Sequence, residues 1–137
     1  MEDLSLHVLD VAENAIVAAA SRIEIYITDD RDEGIQSIEI IDNGTGMDEE
    51  TGEKVLDPFF TTKNKKTGLG IPLFAQAAKE AGGGLEIQSS SGKGTKIKAT
   101  FKLDHIDKKP LGNMDETMRV LKATHPEVDF IFEYIRR

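Results

Sequence analysis

Residues 35–47 of the chain have the sequence IQSIEIIDNGTGM, an alternating apolar stretch that ends in a polar, glycine-punctuated loop. The alternation over Ile35 to Ile41 predicts a β-strand. Asp42 then stands at the strand end, and Gly44 and Gly46 follow it two residues apart. Glycines at such positions let backbone approach a flat ligand closely. An ordinary Asx turn explains Asp42-Asn43-Gly44 equally well, so both interpretations stay open.

The segments on either side of this strand predict a layered α/β architecture. Apolar residues at steps of three and four predict a helix over residues 3–20, capped by Asp3 or Ser5. A polar turn over residues 29–34 predicts that strand 21–28 pairs antiparallel with strand 35–41. Further elements are predicted at 48–56 (short helix), 71–81 (helix), 85–88 and 95–103 (strands), 114–123 (helix) and 128–134 (strand). This order predicts an α+β two-layer sandwich, with helices on one face of a mixed sheet.

The amino-acid composition of the chain excludes several classes of function. The 137 residues include 17 Lys+Arg, 25 Asp+Glu and no cysteine, for a net charge of −8. A domain this acidic lacks the footprint of a nucleic-acid binder and is repelled by anionic membranes. Without cysteine there is no disulfide or thiolate chemistry. With no apolar run of 18 residues and no signal peptide, the expected location is the cytoplasm.

Two polar residues on the first helix form a candidate metal site. Asp10 and Asn14 are four residues apart and therefore share a helix face, which His7 extends. A carboxylate and an amide on one face can hold a water and a divalent metal. A solvated polar face is the plainer interpretation from the spacing alone.

Two glycine-containing segments are candidates for phosphate contact. Thr67-Gly68-Leu69-Gly70 opens the second helix, where free N–H groups bind phosphate. It is not a dinucleotide fingerprint, because no strand precedes it and Leu73 replaces the third glycine. Gly92-Lys93-Gly94-Thr95 lacks the spacing of a P-loop and is typical of a hairpin turn.

Taken together, these segments resemble the Bergerat-fold (GHKL) ATPase superfamily, which unites gyrase-type topoisomerases, heat-shock chaperone ATPases, sensor histidine kinases and mismatch-repair ATPases. The resemblance covers about residues 4–103. It consists of Asp10-x-x-x-Asn14-Ala, Asp42-x-Gly44-x-Gly46, Asp57-Pro-Phe-Phe60-Thr-Thr62-Lys63, Gly68-Leu-Gly70-Ile, and Gly83-Gly followed by Gly92-Lys-Gly-Thr95. The third and later boxes are most similar to the stand-alone ATP-binding domain of histidine kinases.

The resemblance implies a role for each matching residue. Asn14 is expected to bind Mg²⁺, Asp42 and Thr95 to hold the adenine edge, and Gly44, Gly46 and Met47 to line the purine pocket. Gly68, Leu69 and Gly70 are expected to face the phosphates. Phe60, Thr62 and Lys63 are expected to make ATP contacts on the lid side. ATP and magnesium are therefore the expected cofactors.

Asp10 separates the functions that the resemblance allows. Hydrolytic members usually carry Glu at this position as general base, and Asp is one methylene shorter, so slow hydrolysis at best is expected. The leading interpretation is phosphotransfer in trans to a partner protein in signalling. The alternatives are a slow ATP-hydrolysing conformational switch with Asp10 as base, and a serine kinase similar to anti-sigma factors.

The ends of the chain carry three further predictions. The chain opens on the first ATPase helix, so no phosphoacceptor helix is expected before it, and His7, His105 and His125 are poor acceptors. The expected domain is residues 1–103, with 104–137 as an α-β extension packed on or extending it. The last strand is apolar on both faces, which favours pairing with the chain's own sheet, while a docking edge or a homodimer stays open.

Overall fold

The computed structural model describes residues 3–45, 70–90 and 92–137, and these form one layer of helices on one sheet. The elements in chain order are α1 (Leu4–Val17), β1 (Arg22–Asp30), β2 (Ile35–Asp42), α2 (Gly70–Glu80), β3 (Gly84–Ser90), β4 (Gly94–Lys102), α3 (Met114–Thr124) and β5 (Asp129–Arg136). The helix predicted at 48–56 lies outside the described residues.

The five described strands form a mixed sheet in the order β3-β4-β2-β1-β5. β1 and β2 pair antiparallel, as their short connection predicts, and β2–β4 and β3–β4 are antiparallel too. β5 alone runs parallel to its neighbour, β1. The predicted mixed-sheet sandwich is confirmed.

The core lies between the helices and one face of the sheet. Alternate residues of each inner strand point to that face and are fully buried, as Ile25 and Ile27 on β1 and Ile38 on β2 show. On the helix side they meet the apolar stripes of the helices, including Leu4 and Phe74. Burial of this apolar surface is the main stabilising contribution to the fold.

The opposite face of the sheet is polar. Glu39 on β2 lies 3.9 Å from both Lys96 and Lys98 on β4, and Tyr26 donates a 2.6 Å hydrogen bond to Glu24 on β1. Partly exposed ion pairs of this kind contribute little to stability. The described helices therefore cover one face and leave the other to solvent.

The two ends of α1 differ from the prediction. The Asp3 side chain makes no capping hydrogen bond, and Ser5 is buried. Instead, the N–H groups of Leu4 and Ser5 donate to the carbonyls of Pro110 and Leu111, at 2.9 and 2.8 Å. The segment before α3 thus satisfies helix N–H groups that otherwise lack partners.

At its other end, α1 stops at Val17 instead of residue 20. Ala19 has φ +66°, in the left-handed region, and the N–H of Ala20 donates to the Ala15 carbonyl. This is the closure of a Schellman motif, which usually employs glycine. Alanine has high helix propensity, so composition alone did not reveal this stop.

Residues after 103 add α3 and β5 to the same layers. β5 pairs with β1 over eight positions, from Arg22 opposite Asp129 to Asp29 opposite Arg136. Asn113 caps α3, with its side-chain oxygen accepting the N–H of Glu116 at 3.0 Å. The division at residue 103 stays a prediction.

Candidate functional site

Asp42 occupies the end of β2, where three strands meet. It lies opposite Ile23 of β1 and opposite Thr95 of β4 in the sheet register. Because side chains alternate along a strand, Asp42 is on the same face as Ile38 and Ile40, the face that the helices cover. The sequence thus places a half-buried carboxyl at the end of an otherwise apolar row.

The environment of the Asp42 carboxyl changes its acidity. Burial raises its pKa above the ordinary value, while hydrogen bonding from the backbone of Gly44 and Thr95 acts in the opposite direction and only partly offsets it. The Oδ1 atom accepts the Gly44 N–H at 2.8 Å. A carboxylate offers about four lone-pair positions, so it can still accept a hydrogen bond from a ligand N–H.

The loop after β2 packs so closely against the end of α1 that position 44 has no room for a side chain. A Cβ atom at Gly44 would lie 2.7 Å from the carbonyl oxygen of Ala18. The same carbonyl accepts the N–H of Thr45 at 2.8 Å. These contacts join the loop after β2 to the helix that carries the other predicted polar residues.

The hairpin between β3 and β4 completes this end of the sheet. Gly94 has φ +90°, and a Cβ atom there would lie 2.1 Å from the Asp42 carbonyl oxygen. Glycine is therefore the residue that this close approach of β4 to β2 admits. The predicted hairpin turn in this segment is confirmed, and its Thr95 stands beside Asp42.

Ser89 belongs to this cluster although the sequence did not single it out. It lies opposite Thr95 in the β3–β4 register, with the two hydroxyl oxygens 2.9 Å apart, and it donates to the Gly94 carbonyl at 3.0 Å. Pairing the predicted hairpin strands through their turn would have placed a hydroxyl opposite Thr95, which is the signal available in the sequence.

Asn43 lies between the two named residues of the Asp42-x-Gly44 motif, and its side chain has a structural role. Its Oδ1 accepts the N–H groups of Ser21 and Arg22, both at 2.9 Å, and its Nδ2 donates to the Ser21 hydroxyl. It therefore fastens the start of β1 to the end of β2. The hydrogen bond from the Gly44 N–H to the Asp42 Oδ1 confirms the Asx turn, whereas close approach of this loop to a flat ligand stays a prediction.

Asp10 and Asn14 lie one helical turn apart on α1, as their spacing predicts. Asp10 is exposed and Asn14 is half-buried. The Asn14 carbonyl accepts the N–H of Ala18, whose own carbonyl contacts the loop at Gly44 and Thr45. Two successive hydrogen bonds thus connect the turn of Asn14 to the loop that follows Asp42.

His7 does not share the exposure of Asp10. Its side chain is 2% exposed and stacks on Phe74 of α2, with ring centroids 5.8 Å apart and planes at 17°. His7 lies on the same face of α1 as Asp10 and Asn14, as its spacing predicts, but Phe74 of α2 covers it, so this face is not solvated at the first turn.

Seven predicted site residues lie outside the described residues: Gly46, Met47, Phe60, Thr62, Lys63, Gly68 and Leu69. Gly70 is described and is the first residue of α2, one residue before the predicted start of that helix. Within residues 3–45, 70–90 and 92–137, no three His, Asp or Glu side chains cluster to hold a metal ion. In the same ranges no helix is long and apolar enough to cross a membrane.

Comparisons with known proteins show which proteins this chain is similar to. A family model described as histidine kinase-, DNA gyrase B- and HSP90-like ATPase matches residues 2–105. The nitrogen regulation protein NtrY of Azorhizobium caulinodans is 41% identical over 68 residues, 49% of this chain and 9% of that protein. The signal transduction histidine-protein kinase AtoS of Escherichia coli is 38% identical over 96 residues, 69% of this chain and 15% of that protein.

A solved structure supports the fold. The ATPase domain of Aquifex aeolicus MutL, determined with ADP, superposes with a TM-score of 0.58 at 21% identity, covering 100% of this chain and 62% of that one. The chain spans only a small part of the two curated relatives, 9% and 15% of their lengths. Similarity over so small a part does not show that this chain has the activities of the whole proteins.

Proposed function

Since the chain belongs to the family of histidine kinase-, DNA gyrase B- and HSP90-like ATPases, we propose that it binds Mg-ATP beside Asp42 and passes the γ-phosphoryl group to a partner protein. The single observation that carries this proposal is the half-buried Asp42 carboxyl at the junction of β2, β4 and the Gly44 loop. The histidine kinases among the similar proteins favour phosphotransfer over the other activities of the family.

The hydrogen-bonding groups at this end of the sheet suit the adenine of ATP. The Asp42 carboxylate keeps acceptor positions beyond those used by Gly44 and Thr95, and an exocyclic amino group needs such an acceptor. The Thr95 hydroxyl, held by Ser89, is on the next strand. Glycine at position 44 lets the loop pack against Ala18, and the hydrogen bond from the Thr45 N–H to the Ala18 carbonyl holds the loop there.

The α1 residues suit the magnesium-phosphate part of the ligand. Mg²⁺ keeps most of its waters and takes few protein ligands, and an amide oxygen such as that of Asn14 is one of its ordinary donors. Gly70, at the start of α2, belongs to the segment proposed to face the phosphates, because helix N-termini favour anions. Magnesium, when bound, would neutralise charge on the phosphates.

Phosphotransfer in trans requires an acceptor side chain on another protein. The acceptor nitrogen or oxygen forms a bond to the γ-phosphorus, the bond from that phosphorus to the bridging oxygen breaks, ADP leaves, and the acceptor loses its proton. Acid-labile phosphate on the acceptor indicates phosphohistidine, whereas acid-stable phosphate indicates the serine-kinase alternative.

Slow hydrolysis is a second candidate, favoured by the exposed carboxylate of Asp10 one turn before Asn14. A carboxylate at this position can accept a proton from an attacking water. The variant Asp10→Asn should then abolish phosphate release and leave nucleotide affinity unchanged. An unchanged release rate would remove Asp10 from the mechanism.

Calorimetric titration with a non-hydrolysable ATP analogue tests the binding site. We expect a micromolar dissociation constant, about −8 kcal/mol, in the presence of Mg²⁺. Asp42→Ala should weaken binding at least tenfold, and Asn14→Ala should remove the dependence on Mg²⁺. The matched control Asp32→Asn, on the exposed turn between β1 and β2, should bind as the parent chain does. Tight Mg²⁺-dependent binding by Asp42→Ala and Asn14→Ala would refute the assignment.

A further inference from the structure

Three polar side chains form a row across the sheet at the end of β2, where the base of ATP is proposed to bind. Asp42 of β2 lies opposite Thr95 of β4, and Thr95 lies opposite Ser89 of β3. Residues directly opposite each other in paired strands direct their side chains to the same face. All three side chains therefore lie on the face that the helices cover.

The protons of the two hydroxyl groups in this row can be assigned by counting them. The Oγ atom of Ser89 lies 2.9 Å from Oγ1 of Thr95 and 3.0 Å from the carbonyl oxygen of Gly94. A hydroxyl has one proton and a carbonyl oxygen has none, so two protons serve two contacts. Ser89 donates to Gly94, because Gly94 can only accept. Thr95 then supplies the proton of the other contact and donates to Ser89.

This assignment decides what Thr95 offers to a ligand beside Asp42. Because the only proton of its hydroxyl is directed to Ser89, Oγ1 of Thr95 presents lone pairs to the ligand. An ionised carboxylate at Asp42 is likewise an acceptor. Two neighbouring acceptors favour a base that carries an amino group over one that carries an oxygen in the same place.

We propose that Ser89 contributes to the base specificity of the nucleotide site: because it holds the Thr95 proton, the site rejects 6-oxopurine nucleotides more strongly than Asp42 alone would. Ser89 is a positioning residue, since it acts through Thr95 and does not touch the base. The inference rests on the proposed function, because it requires a purine beside Asp42 and Thr95.

Removal of the Ser89 hydroxyl releases the Thr95 proton. In Ser89→Ala, Thr95 can turn its hydroxyl and donate to the oxygen of a 6-oxopurine, while the neighbouring ring N–H of that base donates to Asp42. In the parent chain the same rotation breaks the hydrogen bond from Thr95 to Ser89. The difference is one ordinary hydrogen bond, which corresponds to about a fivefold change in affinity.

Calorimetric titration with ADP and with IDP, both with Mg²⁺, measures the specificity. The two ligands differ only in the base, and neither has a γ-phosphoryl group to transfer. We expect Ser89→Ala to lower the ratio of the IDP to the ADP dissociation constant about fivefold. Ser89→Thr keeps a hydroxyl and should keep the parent ratio. The matched control is Ser37→Ala, which removes a hydroxyl from the opposite face of β2 and should not change the ratio.

Thr95→Val separates an effect through Thr95 from a general loosening of the hairpin. Valine has nearly the shape of threonine but no hydroxyl, so Ser89 then has no proton to hold. In the Thr95→Val background, Ser89→Ala should therefore leave the ratio unchanged. The same fall of the ratio with and without the Thr95 hydroxyl would overturn the inference.

A measurement without nucleotide tests the hydrogen bonds themselves. The carbon chemical shift of the Gly94 carbonyl, measured by NMR, should move upfield in Ser89→Ala, because the carbonyl loses a donor, and should stay near the parent value in Ser89→Thr. A parent chain that binds neither ADP nor IDP would refute the proposed function and this inference with it. A parent chain that binds ADP, with an unchanged ratio in Ser89→Ala, would refute the role of Ser89 alone.

Discussion

The Nε2 atom of His125 lies 3.1 Å from Oε1 and 3.2 Å from Oε2 of Glu13, so the end of α3 contacts α1 at the residue before Asn14. The His125 side chain is 22% exposed and that of Glu13 is 42% exposed. The C-terminal part of the chain therefore supports the helix turn that we assign to magnesium.

The Glu13–His125 contact should appear as an energetic coupling. In a double-mutant cycle of Glu13→Ala and His125→Ala, we expect a coupling of about 0.5–1 kcal/mol in the free energy of unfolding, measured by urea denaturation. The control pair is Glu127→Ala with His125→Ala, because Glu127 is 68% exposed and 3.7 Å from Nδ1. Additive effects for Glu13 and His125 would show that the contact carries no energy.

Asp42 should give the protein a distinct pH dependence. Its pKa is raised in the folded chain, so the folded state binds its proton more tightly than the unfolded state, whose aspartate pKa is about 3.9. The stability that this group contributes is complete below the unfolded pKa and is lost as pH rises through the folded pKa.

The variant Asp42→Asn lacks this ionisation, so it should gain stability relative to the parent chain as pH rises from about 3.9. Urea denaturation of both proteins at several pH values measures the difference. Asp32→Asn removes one exposed charge and controls for net charge. A stability difference that falls with pH would contradict the assigned direction.

Gly44 should not tolerate a side chain. The added Cβ of Gly44→Ala would meet the Ala18 carbonyl at 2.7 Å, a backbone atom that cannot rotate away. We expect a loss of about 1–3 kcal/mol in unfolding free energy, as for other overpacked sites. Gly84→Ala is the matched control, because nothing lies within 4 Å of its added Cβ. A Gly44→Ala variant as stable as Gly84→Ala would show that the loop is not held against α1.

Replacement of Ala19 by glycine should not destabilise the protein. A non-glycine residue in the left-handed region costs about 1–2 kcal/mol, and glycine costs about 0.4–1 kcal/mol in unfolded-state entropy. Ala19→Gly should therefore be at least as stable as the parent chain. Ala18→Gly, one residue earlier at φ −82°, bears the entropy cost alone. Thermal unfolding in which Ala18→Gly is the more stable of the two would contradict the Ala19 geometry.

Local patterns predicted most of the elements, because each described strand and helix carries its own period of apolar residues. Positions 23, 25 and 27 of β1 alternate and are all fully buried, as a half-buried strand requires. The junction at Asp42 also followed from local order, since a carboxylate after a strand and the glycines after it are adjacent in sequence. The family resemblance added roles that spacing alone could not assign.

Features set by distant segments were not predictable from local pattern. The burial of His7 depends on Phe74 of α2, and the capping of α1 depends on carbonyls at Pro110 and Leu111. Likewise, the alternation of apolar residues near the end of the sequence predicted a strand, but it did not identify β1 as the parallel neighbour of that strand. Tertiary contacts decide each of these, and no nearby residue encodes them.

The pairing of β1 with β5 also has a consequence for the order in which the chain is made. β1 emerges from the ribosome before β2, α2, β3, β4 and α3, whereas β5, its outer partner, emerges after all of them. At translation rates of about 5–20 residues per second, β1 waits roughly 5–20 seconds with its outer edge open. During that interval the nascent chain presents the apolar edge of β1, and it is then that a chaperone would be most useful.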